Sequence, residues 1–273
     1  MAFEAFYLPV SAGRRFCLFH PASDAGTHHG AVVYVHPFAE EMNKSRRMAA
    51  LQAKAMAAAG YSVLQIDLHG CGDSSGDFGD ATWDTWIDDV TLAWTWLHER
   101  CADAPWLWGL RTGCLLACAA ATRIAAPSRL LLWQPVVSGK QFLQQFLRLR
   151  LSGEMLAGEG KGQMDRMREQ LARGESLEIA GYSLSPGLAS GLERAELTLA
   201  PQSARIEWID LSGRPDASLS PMANARIAAW KSAGRQGRGR LICGPAFWQT
   251  AEISECPDLI AATMAAMADA SSQ

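Results

Sequence analysis

Short apolar runs alternate with longer helix-forming stretches along most of the 273 residues, and this alternation restricts the fold more than any other feature of the chain. The runs fall at 31–36 (AVVYVH), 62–67 (SVLQID), 105–109 (PWLWG), 129–133 (RLLLW), 205–211 (RIEWIDL) and 239–243 (GRLIC). They are mostly apolar without strict alternation of polar residues, the pattern of strands covered on both faces. Between them, 44–59, 83–100, 112–125, 221–232 and 257–268 are rich in Ala, Leu and Met and read as helices. Strand and helix in turn predict a mostly parallel sheet with helices on both faces, and 3–20 adds two antiparallel strands at its edge.

The alternation breaks between 138 and 198, where QFLQQFLRLRL and GQMDRMREQLARG look helical and GYSLSPGL looks like a loop or short strand. We expect a core of residues 1–137 and 199–273 with an inserted helical cap, 138–198, over the C-terminal edge of the sheet, where open α/β sheets hold their ligands. Proteolysis is expected at glycine-containing joints of the cap near 153–162 and 187–191. The low-complexity piece GRQGRGR, 234–240, reads as a solvated turn before the last strand.

Charge removes several function classes. With 25 Lys and Arg against 28 Asp and Glu, a net charge of −3 and no basic block, the chain gives no support to nucleic-acid binding. It shows neither a basic segment leading into an apolar leader nor an 18–20-residue apolar run, so we expect a cytoplasmic protein without a membrane span. Seven cysteines without a CxxC pair suit reduced thiols, with no disulfide framework and no metal site.

Three loops carry the residues on which chemistry depends. Asp67-Leu68-His69-Gly70-Cys71-Gly72-Asp73-Ser74 follows a strand; it lacks a Walker lysine and does not fit G-x-G-x-x-G, so it is read as a structural loop and no cofactor is expected. Gly109-Leu110-Arg111-Thr112-Gly113 joins a strand to an apolar helix, as a nucleophile elbow does, with glycines flanking a sharp turn whose central side chain enters the pocket. This is the arrangement of an α/β-hydrolase, but the central residue is Arg111, and a guanidinium cannot attack a carbonyl. Gly213-Arg214-Pro215-Asp216 follows the strand 205–211, which puts Asp216 at the acid position, although Pro-Asp is equally ordinary turn chemistry.

Histidine decides against a standard triad. All six, at 20, 28, 29, 36, 69 and 98, precede the elbow, whereas the order along this fold is nucleophile, acid, histidine. The turn Gly244-Pro245-Ala246-Phe247-Trp248 puts Phe247 at the histidine position. His36-Pro37-Phe38 resembles the segment whose following N–H groups, here those of Phe38 or Ala39, help form an oxyanion hole; His36 itself reads as a structural loop residue. Glu40 and Glu41 come next, and either is a candidate counter-ion for Arg111, the alternative being that both are solvated and support the N-terminus of the following helix. Thr112 and Trp248 complete the pocket candidates.

Taken together, the stretch from His36 to Met48, the Asp67 loop, the Arg111 elbow and the segment Gly244 to Thr250 resemble the second type of exosortase A system-associated hydrolase. The resemblance covers most of the chain and is weakest in the cap. It implies an α/β-hydrolase-superfamily protein from a bacterium with an exopolysaccharide and protein-sorting locus, where a companion hydrolase is a possible partner. Two functions lead among those compatible with these residues, ahead of a purely structural interaction module without a usable cavity. One is a homologue without serine-hydrolase activity that binds a small-molecule, acyl- or glycan-related ligand or a partner. The other is an esterase- or thioesterase-like enzyme with a rearranged site using Thr112, Ser74, Cys71 or an activated water.

Overall fold

The computed structural model describes residues 3–11, 13–23, 28–101, 103–124, 126–155 and 162–268. Eight strands form one sheet: β1 (Glu4–Val10), β2 (Gly13–His20), β3 (Gly30–Val35), β4 (Tyr61–Ile66), β5 (Trp106–Leu110), β6 (Ser128–Trp133), β9 (Ser203–Ser212) and β10 (Gln236–Cys243). Their order is β1-β2-β4-β3-β5-β6-β9-β10. The β1–β2 and β2–β4 pairs are antiparallel and the rest parallel, so the edge strands expected at 3–20 are present.

Alternate residues of the central strands feed two cores. Val33, Val35, Leu64, Ile66 and Leu107 meet α2 (Trp83–His98) and α3 (Gly113–Arg123) on one face. On the other face, Val32, Tyr34, Val63, Trp108 and Trp133 meet α1 (Glu40–Ala58) and α8 (Pro257–Ala268). Every residue of β3 and β5 is buried, which explains why neither run alternates with polar residues.

Between β6 and β9 lie α4 (Gly139–Met155), α5 (Gln163–Ala172), a hairpin of β7 (Leu177–Ile179) and β8 (Tyr182–Leu184), and α6 (Pro186–Arg194). The base of this insertion is tied by backbone bonds from Gly139 N–H to the Ala195 carbonyl, 2.8 Å, and from Leu197 N–H to the Val137 carbonyl, 3.0 Å. Ser185 caps α6 by accepting from Leu188 N–H at 3.1 Å, and Pro186 suits the first turn.

Three sequence expectations need correction. Residues 187–191 are no joint: they belong to α6, and a Cβ on Gly191 would lie 2.1 Å from Trp83 Cβ, so this glycine permits close packing on α2. The other expected joint, 153–162, falls largely on residues outside those described. The piece 234–240 is strand from Gln236 onward, because parallel pairing of β10 with β9 extends back to Arg205. At Gly239 α7 (Pro221–Ser232) crosses closely, so that a Cβ would press on the movable tip of Ile227, 2.4 Å from its Cδ1. Finally, α1 begins at Glu40 rather than 44, which puts both glutamates in its first turn.

Candidate functional site

The C-terminal ends of β3 and β5 are neighbours, paired through Val35 and Gly109, at the point where the chain's winding reverses. Backbone strain collects here: Ala39, Arg111 and Gln134, just beyond β3, β5 and β6, have φ of 51°, 56° and 43°. Each such conformation in a residue with a side chain costs about 1–3 kcal/mol and persists only when its surroundings impose it.

At Arg111 the imposing contacts are plain. Its N–H donates to the Trp133 carbonyl at 3.0 Å, and its own carbonyl accepts from Cys114 N–H at 3.1 Å and Val136 N–H at 3.2 Å. Both flanking glycines are sterically required. A Cβ on Gly109 would lie 2.6 Å from Cys114 Cα, and one on Gly113 would lie 2.2 Å from the Val35 carbonyl oxygen. The strand–turn–helix geometry of an elbow is therefore present, with a guanidinium at its tip.

That guanidinium forms a partly buried ion pair, Arg111 Nε donating to Glu41 Oε1 at 3.2 Å. Of the two candidate counter-ions it is Glu41, and Glu40 makes no ion pair among the described residues. The Arg111 Cζ also stands 5.4 Å from the centre of the Trp248 ring. Burial pushes the Glu41 carboxyl up to about 7, a rise that Arg111 opposes but does not cancel and that the neighbouring Glu40 reinforces.

A cavity of about 300 Å³ opens over this pair, between the elbow, the start of α1, helix α4 and the segment after β10. Arg111, Glu40, Glu41, Phe38 and Trp248 line it, joined by residues that sequence reasoning missed: Lys44, Phe142, Gln145, Phe146, Leu149 and Gln249. One signal was available, since Phe142 and Phe146 lie four apart in QFLQQFL and so share a helix face. Phe38 is the hinge of the arrangement, its ring edge-on to Phe146 at 5.0 Å, Phe142 at 5.7 Å and Trp86 at 5.7 Å, which locks α4 to the core.

Other residues singled out in the sequence lie elsewhere. His36 is buried beneath the loop, with Nδ1 2.8 Å from the Pro37 carbonyl and Nε2 accepting from Leu68 N–H at 3.2 Å; burial lowers its proton affinity. It lines a different cavity, beside Asp67 and Arg46. Ala39 and Thr112 are buried outside the elbow cavity. Phe247 is also outside it, fully buried and 5.1 Å from the Trp248 ring, so the aromatic at the histidine position serves the core.

Asp216 is exposed, in a turn closed by Ala217 N–H to the Arg214 carbonyl, and makes no ion pair among the described residues. Besides Glu41, the acid influenced by Arg111 is Asp210, inside β9, which accepts from Trp208 Nε1 at 2.7 Å and whose proton affinity burial raises. A strand residue flanked by apolar neighbours gave no sign of this. Ser74 Oγ donates to the Asp67 carbonyl at 2.5 Å and accepts from Phe16 N–H at 2.8 Å, while burial raises the Cys71 thiol far above the range of a reactive thiolate. Among the described residues, no cluster of three or more His, Cys, Asp or Glu could hold a metal ion, and no helix is long and apolar enough to cross a membrane.

The chain resembles known proteins at two levels. A family model described as serine aminopeptidase, S33, matches residues 26–159, the stretch that contains the elbow. No curated protein matches. Among solved structures, an α/β serine hydrolase without a lid from Xanthomonas campestris, XC6422, is 14% identical with a TM-score of 0.59, over 98% of this chain and 94% of that one. Est1E from Butyrivibrio proteoclasticus, solved with ferulic acid, is 14% identical with a TM-score of 0.61, over 97% and 98%. Mouse alpha/beta hydrolase domain-containing protein 10 is 13% identical with a TM-score of 0.60, over 98% and 100%. At these identities the likeness is one of fold.

Proposed function

Because the chain has the α/β-hydrolase fold, we propose that it is a member of that superfamily without serine-hydrolase activity whose elbow cavity binds a small ligand. One observation carries this reading: the elbow tip holds a guanidinium paired with Glu41, where hydrolysis needs a nucleophile. The position of every histidine before the elbow supports it, as does the engagement of His36 by two loop backbones.

The resemblance of the His36–Met48, Asp67, Arg111 and Gly244–Thr250 segments to the second type of exosortase A system-associated hydrolase supports a cytoplasmic role beside an exopolysaccharide and protein-sorting locus. A companion hydrolase is then the candidate protein partner.

The test is turnover of short p-nitrophenyl esters and acyl thioesters together with fluorophosphonate labelling. We expect neither above background, and Arg111→Ser alone restores nothing because no histidine follows the elbow to serve the new hydroxyl. Labelling at the elbow, or robust turnover abolished by an elbow substitution, would refute the proposal. A second reading has its own observation: Glu41 is buried, lines the cavity and exchanges its proton near neutrality, as a general base must. It requires ester hydrolysis that disappears in Glu41→Gln.

A further inference from the structure

Three buried side-chain polar atoms without a hydrogen-bond partner among the described residues belong to residues lining the elbow cavity: Glu40 Oε2, Glu41 Oε2 and Trp248 Nε1. Buried polar atoms are nearly always satisfied, so three unsatisfied ones beside a single cavity are an anomaly that a ligand seated there, with a small shift of these side chains, would relieve. Glu41 is 7% exposed and Trp248 4% exposed, so solvent does little to satisfy either. Arg111 adds donors to the same wall, since its one side-chain hydrogen bond among the described residues uses Nε and leaves both Nη groups.

This inventory is two-sided. Arg111 and Trp248 Nε1 present donors that an anion satisfies, while Glu40 and Glu41 present acceptors that an ammonium satisfies. The formal charges on the wall balance, Arg111 and Lys44 against Glu40 and Glu41, so a ligand with a single charge of either sign meets repulsion from one pair. The opposite charges of Arg111 and Glu41 stand side by side, 3.2 Å apart, and call for a ligand whose own opposite charges are adjacent. Beyond them Phe38, Phe142, Phe146 and Leu149 form an apolar wall. The cavity of about 300 Å³ is at the small end of ligand pockets and has room for a molecule the size of an amino acid.

We infer that the elbow cavity binds a free α-amino acid with an apolar side chain. Its carboxylate lies against Arg111 and Trp248 Nε1, its ammonium against Glu41 and Glu40, and its side chain against the phenylalanines of α4. The lost nucleophile is thereby replaced by half of a zwitterion receptor. This inference rests on the ligand-binding reading above and gives that reading a chemical class.

Isothermal titration of the full-length protein with L-leucine and L-phenylalanine tests it, beside N-acetyl-L-leucine, which lacks the cation, and L-leucinamide, which lacks the anion. We expect a free amino acid to bind at least tenfold more tightly than either derivative. Arg111→Gln should abolish measurable binding. Trp248→Phe, which keeps an aromatic ring and removes the N–H, should weaken binding about three- to tenfold; it keeps the test open if Arg111→Gln fails to fold, as circular dichroism will show. Equal or tighter binding of a derivative overturns the amino-acid assignment while leaving the cavity a ligand site. Saturable binding by none of the four compounds, or leucine binding untouched by Trp248→Phe, overturns the assignment too. The non-hydrolytic reading is decided separately by turnover and labelling, so the two fail in distinguishable ways.

Discussion

Replacing Glu41 by glutamine should make the protein more stable at alkaline pH, although the substitution removes half of an ion pair. The Glu41 carboxyl rises from 4.5 to about 7 on folding, chiefly because burial penalises its charged form more than Arg111 rewards it. Between those values the folded protein holds a proton that the unfolded chain has released, so stability falls as pH rises through that window. At about 1.4 kcal/mol per pH unit, the loss between pH 5 and pH 8 is about 2–3 kcal/mol, and Glu41→Gln escapes it. Urea denaturation of both proteins at pH 5, 6, 7 and 8 measures the difference directly. A constant offset at pH 5 reports the altered hydrogen bond to Arg111; the prediction concerns the growth of the difference toward pH 8. Arg111→Gln should act oppositely, raising the Glu41 carboxyl further. Near pH 6 its cost should fall below the roughly 3–5 kcal/mol of stranding a fixed buried charge, because Glu41 can take up a proton. A difference between wild type and Glu41→Gln that stays flat across the four pH values would refute the reasoning, as would one of the opposite sign.

Gly113→Ala should destabilise by about 3 kcal/mol or more despite alanine's better helix propensity, since its Cβ would lie 2.2 Å from the Val35 carbonyl oxygen; thermal unfolding within 1 °C of wild type would contradict this. Phe38→Ala should cost about 3–5 kcal/mol and release α4, read as faster limited proteolysis of the 139–155 segment, because the ring joins Phe142 and Phe146 to Trp86.

The sequence by itself determined the layered core and the elbow. Buried parallel strands must be apolar throughout, so 31–36, 105–109 and 129–133 were legible as centre strands. A turn in which helix α3 folds back onto β5 and β3 leaves no room for a Cβ at Gly109 or Gly113, so the glycine spacing revealed the elbow and, with it, Arg111. The missing histidine needed only chain order.

Which side chains meet Arg111 was a tertiary decision. Glu40 and Glu41 are adjacent and chemically alike, and only the start of α1 at Glu40 determines that Glu41 turns inward to the guanidinium. Asp216 had the expected chain position but ended in a solvent-facing turn, while Asp210, concealed in a strand, came within electrostatic reach. The α4 residues Phe142, Phe146 and Leu149 lie more than 30 positions from Arg111. They reach its cavity because the insertion is tied at its base and clamped by Phe38. Local pattern reports backbone geometry and the faces a segment must bury. Which of several like charges shares a cavity depends on how distant segments pack, and that information is absent from any one window of the chain.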